Sequence, residues 1–577
     1  MLLKTGQPFQ RNKQNLLFLL CIGSLLPSLT SVKADHPKLT AEKLFDAEHL
    51  VDIQIELPEK DWNALRQQTR SFALSLGKKP AERSYEYFKG HITIDGVRIK
   101  NVGIRKKGFL GSLNTRRPSL KIKFREFRKQ KPVKGIDRLT LNNNQQDRSL
   151  ASQYLCYRFF NETETVASRC NHAKVTVNGQ YLGIYSNVES VRPPFLKTRF
   201  DSSSGDLYEG TVADLFPDSI QRFESKTKGT SLEPLEHLAG MLDKHPLDMQ
   251  EIEAVLDVSA FVKFWATESL IGFWDGYTNN QNNYFVYKNP RNSKLYFMPW
   301  GLDSALTSMM PLPPFFIKTK SVHSKSVLAN RLYRNPDIQQ QYRETLLMLL
   351  DKHWNEKRLL ADLDRLEVRL KDHLHSSQKD FPRKLNSVRR FISGRRKVIQ
   401  KELSQWPVTL TEGPRGPIYF KSLGQVAVTF STQWYQKTPE TPFTTGTLEL
   451  QFSMNGEKVR FKENELGIYV TPENKSDSKS DPSIVIIGRR EPDDKQLTLS
   501  VSLPASEFRT TKKKRVIVEG NYVEGTKRKG LLGFIFRPKT RVLAGFGQFK
   551  EASRQPGASV SGTLELHIME MKGGKPR

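Results

Sequence analysis

Residues 274–303 read WDGYTNNQNNYFVYKNPRNSKLYFMPWGLD. Asp275 stands where an apolar run ends, asparagines follow at 279, 280, 282 and 283, and two short aromatic segments flank Asn289-Pro290-Arg291-Asn292-Ser293. Aromatic runs on either side of a Pro/Asn turn predict a hairpin, and a hairpin brings the chain back to where it started. Asp275 and Asp303, 28 positions apart, are therefore expected at one site.

An acid, an amide and a second acid in fixed places suit phosphoryl transfer. One carboxylate orients or deprotonates the acceptor, while an Asn and an Asp hold Mg²⁺. The same residues also suit a plainer role, in which Asp275 caps one turn, Asp303 begins another and the asparagines supply left-handed backbone.

Upstream of this unit, Asp257 is the expected N-cap of VSAFVKFWATESLIGFW, with Val258, Phe261, Val262, Trp265 and Ser269 on one face. Nearer the N-terminus the period is two. HITIDGVRIKNVGIRKKG is a hairpin about Asp95-Gly96, and HAKVTVNGQYLGIYSNVESV is another about Asn178-Gly179 that delivers Glu189 to its end. In SLKIKF, Lys121 and Lys123 share one face while Leu120, Ile122 and Phe124 share the other. Between these strands, Gly108 and Gly111 amid Arg105, Lys106 and Lys107 form either a phosphate-approaching loop or an ordinary turn. Asp147 precedes the helical stretch RSLASQYLCYRFF. From about residue 328 to 405 the pattern is helical, with a stripe of Leu359, Leu363, Leu366 and Leu370. Gly413-Pro414-Arg415-Gly416-Pro417 marks a boundary, after which strand-like runs over 417–570 predict a separate all-β, sandwich-like domain. Gly-Thr-Leu-Glu-Leu occurs at 446–450 and again at 562–566, suggesting equivalent strands.

A chain of 577 residues exceeds the roughly 250–300 at which one core stops growing, so two or three domains are expected. Lys4, Arg11 and Lys13, an apolar run from Leu16 to Leu29 and Val32-Lys33-Ala34 read as a signal peptide over 1–34. The protein is therefore expected to be secreted, periplasmic or on the cell surface. No later segment is long and apolar enough for a transmembrane helix, so none is expected in the mature chain. Beyond the leader only Cys156 and Cys170 remain, which suit either a disulfide or two free buried thiols. The net charge of +30 favours anionic partners such as acidic envelope polymers, and no specific nucleic-acid reader is present. The basic clusters Thr511–Arg515 and Lys527–Lys529 motivate a second reading, a non-catalytic cell-surface protein that docks on such polymers.

VGIRKKGFLGS, SLKIKF, LNNNQQDRSLASQYL, VTVNGQYLGIYSNVES, GDLYEG, LDVSAFVKFWATESLIGFWDGYTNNQNNYFVY and FMPWGLD, in this order, resemble the CotH kinase family. The resemblance implies an α+β, two-lobed, atypical protein-kinase-like domain over 47–405, with an N-lobe of about 47–195 and a helical C-lobe of about 196–405. It also implies ATP and Mg²⁺ as cofactors and Ser/Thr hydroxyls of a protein substrate as acceptors. Carried over by position, Asp275 is the catalytic-loop acid and Asp303 the metal-binding Asp. Asn283 or Asn280 is the metal or loop Asn, and Lys121 or Lys123 the nucleotide-phosphate lysine, with Lys121 preferred. Arg105 adds charge near the phosphates, and Glu189 lies near the adenine or pairs with that lysine. At Gly301 the chain departs from the second Asp of many members.

Overall fold

The computed structural model describes residues 39–80, 85–109, 112–308, 319–472, 482–502, 515–525, 539–552 and 557–577. The expected leader, Gly111, the basic stretch 527–529 and all of 511–515 except Arg515 lie outside the described residues.

Alternating aliphatic residues form seven strands: β1 (Leu50–Glu56), β2 (Phe88–Ile94), β3 (Val97–Lys107), β4 (Ser119–Lys123), β5 (Arg138–Asn142), β6 (Cys170–Val177) and β7 (Gln180–Val188). They close a barrel in the order β1-β2-β3-β4-β5-β7-β6, with β6 returning parallel to β1. The two expected hairpin turns are present. Asp95 and Gly96 (φ 46° and 82°) and Asn178 and Gly179 (φ 48° and 79°) take the left-handed backbone that such turns require. The turn side chains also tie the barrel together: Asp95 Oδ1 accepts from the Asp52 amide (2.9 Å) and Asn178 Oδ1 from the Leu57 amide (3.0 Å). Ile53, Ile55, Ile92, Ile104, Leu120, Ile122, Leu139, Leu141 and Val175 fill the interior.

A second core gathers the helices, among them α1 (Ser152–Glu162), α2 (Val258–Leu270), α3 (Glu356–Leu370) and α4 (Phe381–Leu403). The side chain of Asp257 caps α2 as expected, accepting from the Ala260 amide (3.0 Å). The apolar face expected for α2 is buried, but so are Phe264, Ala266, Thr267 and Glu268 on its other sides. From Phe264 onward every residue of the helix is buried, and only Ser259, Ala260 and Lys263 nearer its start reach solvent. Beside it is a four-stranded sheet of β8 (Leu207–Gly210), β9 (Glu224–Ser225), β10 (Tyr284–Lys288) and β11 (Leu295–Pro299), in the order β9-β8-β10-β11. Cys156 and Cys170 are free and buried, so no disulfide links them.

The C-terminal region is all antiparallel: β12 (Ile418–Gln433), β13 (Gly446–Met454), β14 (Glu457–Lys458), β15 (Phe461–Pro472), β16 (Pro482–Arg490), β17 (Gln496–Ser502), β18 (Arg515–Glu524), β19 (Lys539–Glu551) and β20 (Ser559–Gly573). The expectation of two stacked sheets is corrected here: a single nine-stranded sheet, in the order β14-β13-β12-β20-β19-β18-β17-β16-β15, curls about one core. Its far strand comes back to the start, where the Tyr435 amide donates to the Val470 carbonyl (2.8 Å) and Thr432 Oγ1 to that of Ile468 (3.0 Å). Both copies of Gly-Thr-Leu-Glu-Leu pair with the same strand, β12, one on each side. The sheet packs on the N-terminal part through Phe420, Ala544 and Met569 against Ala73 and Leu76. Glu519 also accepts from Ser71 Oγ (2.5 Å) and the Phe72 amide (3.0 Å). Among the described residues no helix is long and apolar enough to cross a membrane.

Candidate active site

Gly272, with φ 62°, turns the chain after α2, and a single helical turn, Tyr277–Asn280, follows. Glu268 on α2 anchors this return. Its Oε1 accepts from the Tyr277 amide (3.1 Å), and its Oε2 accepts from the Thr278 amide (2.9 Å) and Oγ1 (2.6 Å). Burial pushes the Glu268 carboxyl up to about 7, and the charge of Asp275 adds to the rise.

Three amides close on Asp275. Asn280 Nδ2 (2.6 Å) and Asn282 Nδ2 (3.1 Å) donate to Oδ1, and Asn283 Nδ2 (2.9 Å) donates to Oδ2. Burial raises this carboxyl, while the three amides and Arg415 pull it down. A carboxylate only accepts, so each amide points its nitrogen at Asp275 and its oxygen elsewhere. The Asn282 oxygen accepts from the Val212 amide (3.2 Å) and the Asn280 oxygen from Arg415 Nη1 (2.6 Å). The Asn283 oxygen has no donor among the described residues. It faces Gly301, where an added Cβ would lie 2.9 Å from it.

The hairpin forms as expected, with Tyr284 opposite Pro299 and the Trp300 amide donating to the Asn283 carbonyl (2.9 Å). Gly301, at φ 57° and ψ 47°, then turns the chain into Leu302–Ser304, which carries Asp303. Asn142, the last residue of β5, donates from Nδ2 to Asp303 Oδ2 (3.3 Å). Burial first and the nearby Asp275 charge second push the Asp303 carboxyl up to about 7, against the pull of Lys107. The two acids thus lie within each other's field.

Opposite them is the outer face of β3, β4 and β5. Inward Leu120, Ile122, Leu139 and Leu141 leave Arg105, Lys107, Lys121 and Thr140 pointing outward, with Arg105 opposite Lys121 and Lys121 opposite Thr140. Burial lowers the Lys121 ammonium well below the usual lysine value, and Arg192, Arg105 and Lys107 lower it further. Lys107 is lowered by burial too, with Asp303 and Glu209 resisting. Glu209, on β8, is the acid facing this cluster. Against the effect of burial, Lys226 first and then Lys121 and Arg192 hold its carboxyl down to about 2.

The residues expected from sequence therefore divide. Asp275, Asn280, Asn283 and Asp303 converge, and Lys121 and Arg105 lie on the face turned toward them. Lys123, on the same face, pairs with Glu126 and sits 5.7 Å from the Tyr87 ring centre. The Arg105 guanidinium lies over that ring at 5.3 Å. Of the two places expected for Glu189, pairing with the site lysine is corrected: its carboxylate accepts from Arg169 Nη2 (2.7 Å), Nε (3.0 Å) and the Arg169 amide (3.2 Å). Arg169 immediately precedes β6, whose Cys170 pairs with Val188 in β7, so the sheet itself places this partner beside Glu189. Asp147 Oδ2 accepts from the first two amides of α1, those of Ser152 (2.9 Å) and Gln153 (3.3 Å). Gly108 has φ 111°, and an added Cβ there would overlap Ser112, so its turn requires glycine.

Asn142 and Glu209 were not singled out from sequence, and Lys107 was named only among the positive charge around Gly108. All three lie in stretches that carried the resemblance, and alternation from Lys121 across the β3–β4 pairing would have reached Lys107. Nothing local distinguishes Glu209 from any other strand acid.

Fold and site together define an α+β protein in which a buried acidic pair, held on an Asn-rich loop and a hairpin, faces a basic barrel surface. Residues 104–404, just over half of the chain, match the family described as CotH kinase protein, and the chain belongs to that family. It is 21% identical over 298 residues to the inner spore coat protein H of Bacillus subtilis (strain 168), an alignment covering 48% of this chain and 82% of that protein. It is 22% identical over 216 residues to spore coat protein homolog 1 of Rhizopus delemar, covering 34% of this chain and 35% of that protein. With invasin CotH2 of the same organism it shares 23% over 228 residues, covering 34% of this chain and 38% of that protein. The chain thus spans little more than a third of the length of either Rhizopus protein.

Proposed function

We propose that this chain is an exported protein kinase that transfers the γ-phosphoryl group of ATP to Ser or Thr hydroxyls of a protein substrate with Mg²⁺. The carrying observation is a mismatch of charge. Burial and the charge of Asp275 raise the Asp303 carboxyl, while burial and neighbouring positive charge lower Lys121 and Lys107 opposite. A divalent cation would relieve the acids and a polyphosphate would relieve the bases. Among the described residues no three His, Cys, Asp or Glu side chains gather as a metal cage. Mg²⁺ does not need one, because one or two carboxylates plus substrate phosphates complete its shell. Family membership, and relatives named as spore coat proteins and an invasin, support the reading.

Asp303 and the free oxygen of Asn283 would hold Mg²⁺, whose chemistry is to neutralise charge developing on the phosphates. The Asn280 oxygen is already taken by Arg415, which favours Asn283 for that role. Lys121 and Lys107 would face the phosphate oxygens, with Glu209, itself paired with Lys226, supplying negative charge nearby. On Asp275, Oδ1 accepts two amides and Oδ2 only one side-chain amide, so Oδ2 has the open lone pair. There it orients the acceptor hydroxyl and takes its proton. The hydroxyl oxygen bonds to the γ-phosphorus as the bond to the β,γ-bridging oxygen breaks, and ADP leaves with that electron pair.

Purified protein incubated with γ-labelled ATP and Mg²⁺ is expected to label itself or a Ser-rich acceptor. Asp275→Asn and Asp303→Asn should each lower transfer roughly 100-fold or more while thermal unfolding stays close to that of the unaltered chain. Full transfer by either variant would remove the role assigned to it.

A further inference from the structure

The family match ends at residue 404, yet a residue beyond it reaches the Asn-rich loop. Arg415, in the linker to the C-terminal sheet, donates from Nη1 to Asn280 Oδ1 (2.6 Å) and from Nη2 to the Asn280 carbonyl (2.7 Å). Its Nε (2.9 Å) and Nη2 (2.8 Å) also donate to Gln281 Oε1. Gln281 Nε2 answers by donating to the Arg415 carbonyl (2.6 Å) and to Asp214 Oδ2 (2.7 Å). The linker is itself held from both sides. The Arg415 amide donates to the Lys325 carbonyl (2.8 Å), the Gly416 amide to that of Lys575 (2.8 Å) and the Arg577 amide to that of Pro414 (2.9 Å). The last residues of the chain are thus strapped along the segment that carries Arg415.

A guanidinium only donates and a carboxylate only accepts. Between the two, Asn280 has one allowed orientation, with its oxygen toward Arg415 and its nitrogen toward Asp275 Oδ1 (2.6 Å). Without Arg415, the Asn280 oxygen and carbonyl lose the fork that anchors them, and the shortest donor to Asp275 is held from one side only.

We propose that Arg415 is a positioning residue of the phosphotransfer site, and that the linker and C-terminal sheet complete the catalytic loop by fixing Asn280 and, through it, Asp275. This rests on the reading of Asp275 as the residue that orients the acceptor. The β region is then part of the working site, and any change in how the sheet docks is transmitted to the loop. A fixed carboxylate matters because small misplacements of a reacting geometry lower turnover out of proportion to their size.

The test uses the full chain with Arg415→Met and Arg415→Lys, and reads three quantities: the kcat and KM for ATP in self-labelling, the thermal midpoint, and amide hydrogen exchange over residues 275–283. For Arg415→Met, kcat is expected to fall about 10-fold or more with KM for ATP changed less than about 3-fold, and exchange over 275–283 to rise. Arg415→Lys, which keeps a donor but not the fork, should recover part of both. Unchanged kcat and exchange in Arg415→Met would overturn the proposal. So would a loss in which KM, kcat and the thermal midpoint all worsen together and Arg415→Lys recovers nothing, since that is what a merely structural linker produces. Absence of transfer in the unaltered chain would instead overturn the kinase reading, and the positioning role with it.

Discussion

Asp303 shows how the burial of one group becomes a dependence on pH. Its carboxyl is raised to about 7 by burial and by Asp275, so the folded chain holds that proton more tightly than the unfolded chain does. Stability from this group is therefore greatest below the ordinary Asp value, is lost as pH climbs toward 7 and stays lost above it. A cation that replaces the proton benefits in the opposite sense. Mg²⁺ affinity, measured without nucleotide by titration calorimetry, is expected to weaken by about tenfold for each pH unit below 7 and to level off above it. Equal affinity at pH 6 and pH 8 would show that Asp303 is not the group displaced. The identity of this acid was legible in sequence, but its raised value was not, because burial and the like charge of Asp275 come from other elements.

At the level of elements, the Asn-rich loop and hairpin formed where the pattern of residues predicted them. Turn residues and aromatic runs act over a few positions, and such short-range preferences survive in most tertiary settings. Gly301 is the joint of this unit. Its left-handed φ of 57° costs a residue with a side chain about 1–2 kcal/mol, and a Cβ would press on the Asn283 oxygen at 2.9 Å. Gly301→Ala is expected to lower stability by about that amount in denaturant unfolding and to weaken Mg²⁺ binding through the displaced Asn283. A variant as stable as the unaltered chain, with Mg²⁺ binding intact, would show that the joint tolerates a side chain. Helix α2 was located by its cap and its apolar face, and both are present. Its sequence shows which residues are apolar, but not that Glu268 would be buried to anchor a loop.

Across the whole molecule, the C-terminal sheet is docked as well as linked. Phe420, only 6% exposed, packs its ring against that of Phe72 at 5.7 Å, and its amide donates to the Leu76 carbonyl (2.8 Å). Phe420→Ala should remove about 3 kcal/mol from this junction, turning one calorimetric unfolding transition into two; a single unshifted transition would mean that the contact holds nothing. The sequence by itself determined the strands, the hairpin turns, the capped helix and the acids that the hairpin brings back together, since each depends on residues close in the chain. Tertiary structure decided the rest: that β6 returns beside β1 to close a barrel, that the C-terminal strands curl as one sheet, that Lys121 faces Glu209 while Lys123 turns to Glu126, and that Arg415 reaches Asn280. These are choices among partners far apart in sequence, made by the packing and desolvation of whole surfaces, and no local pattern of residues records them.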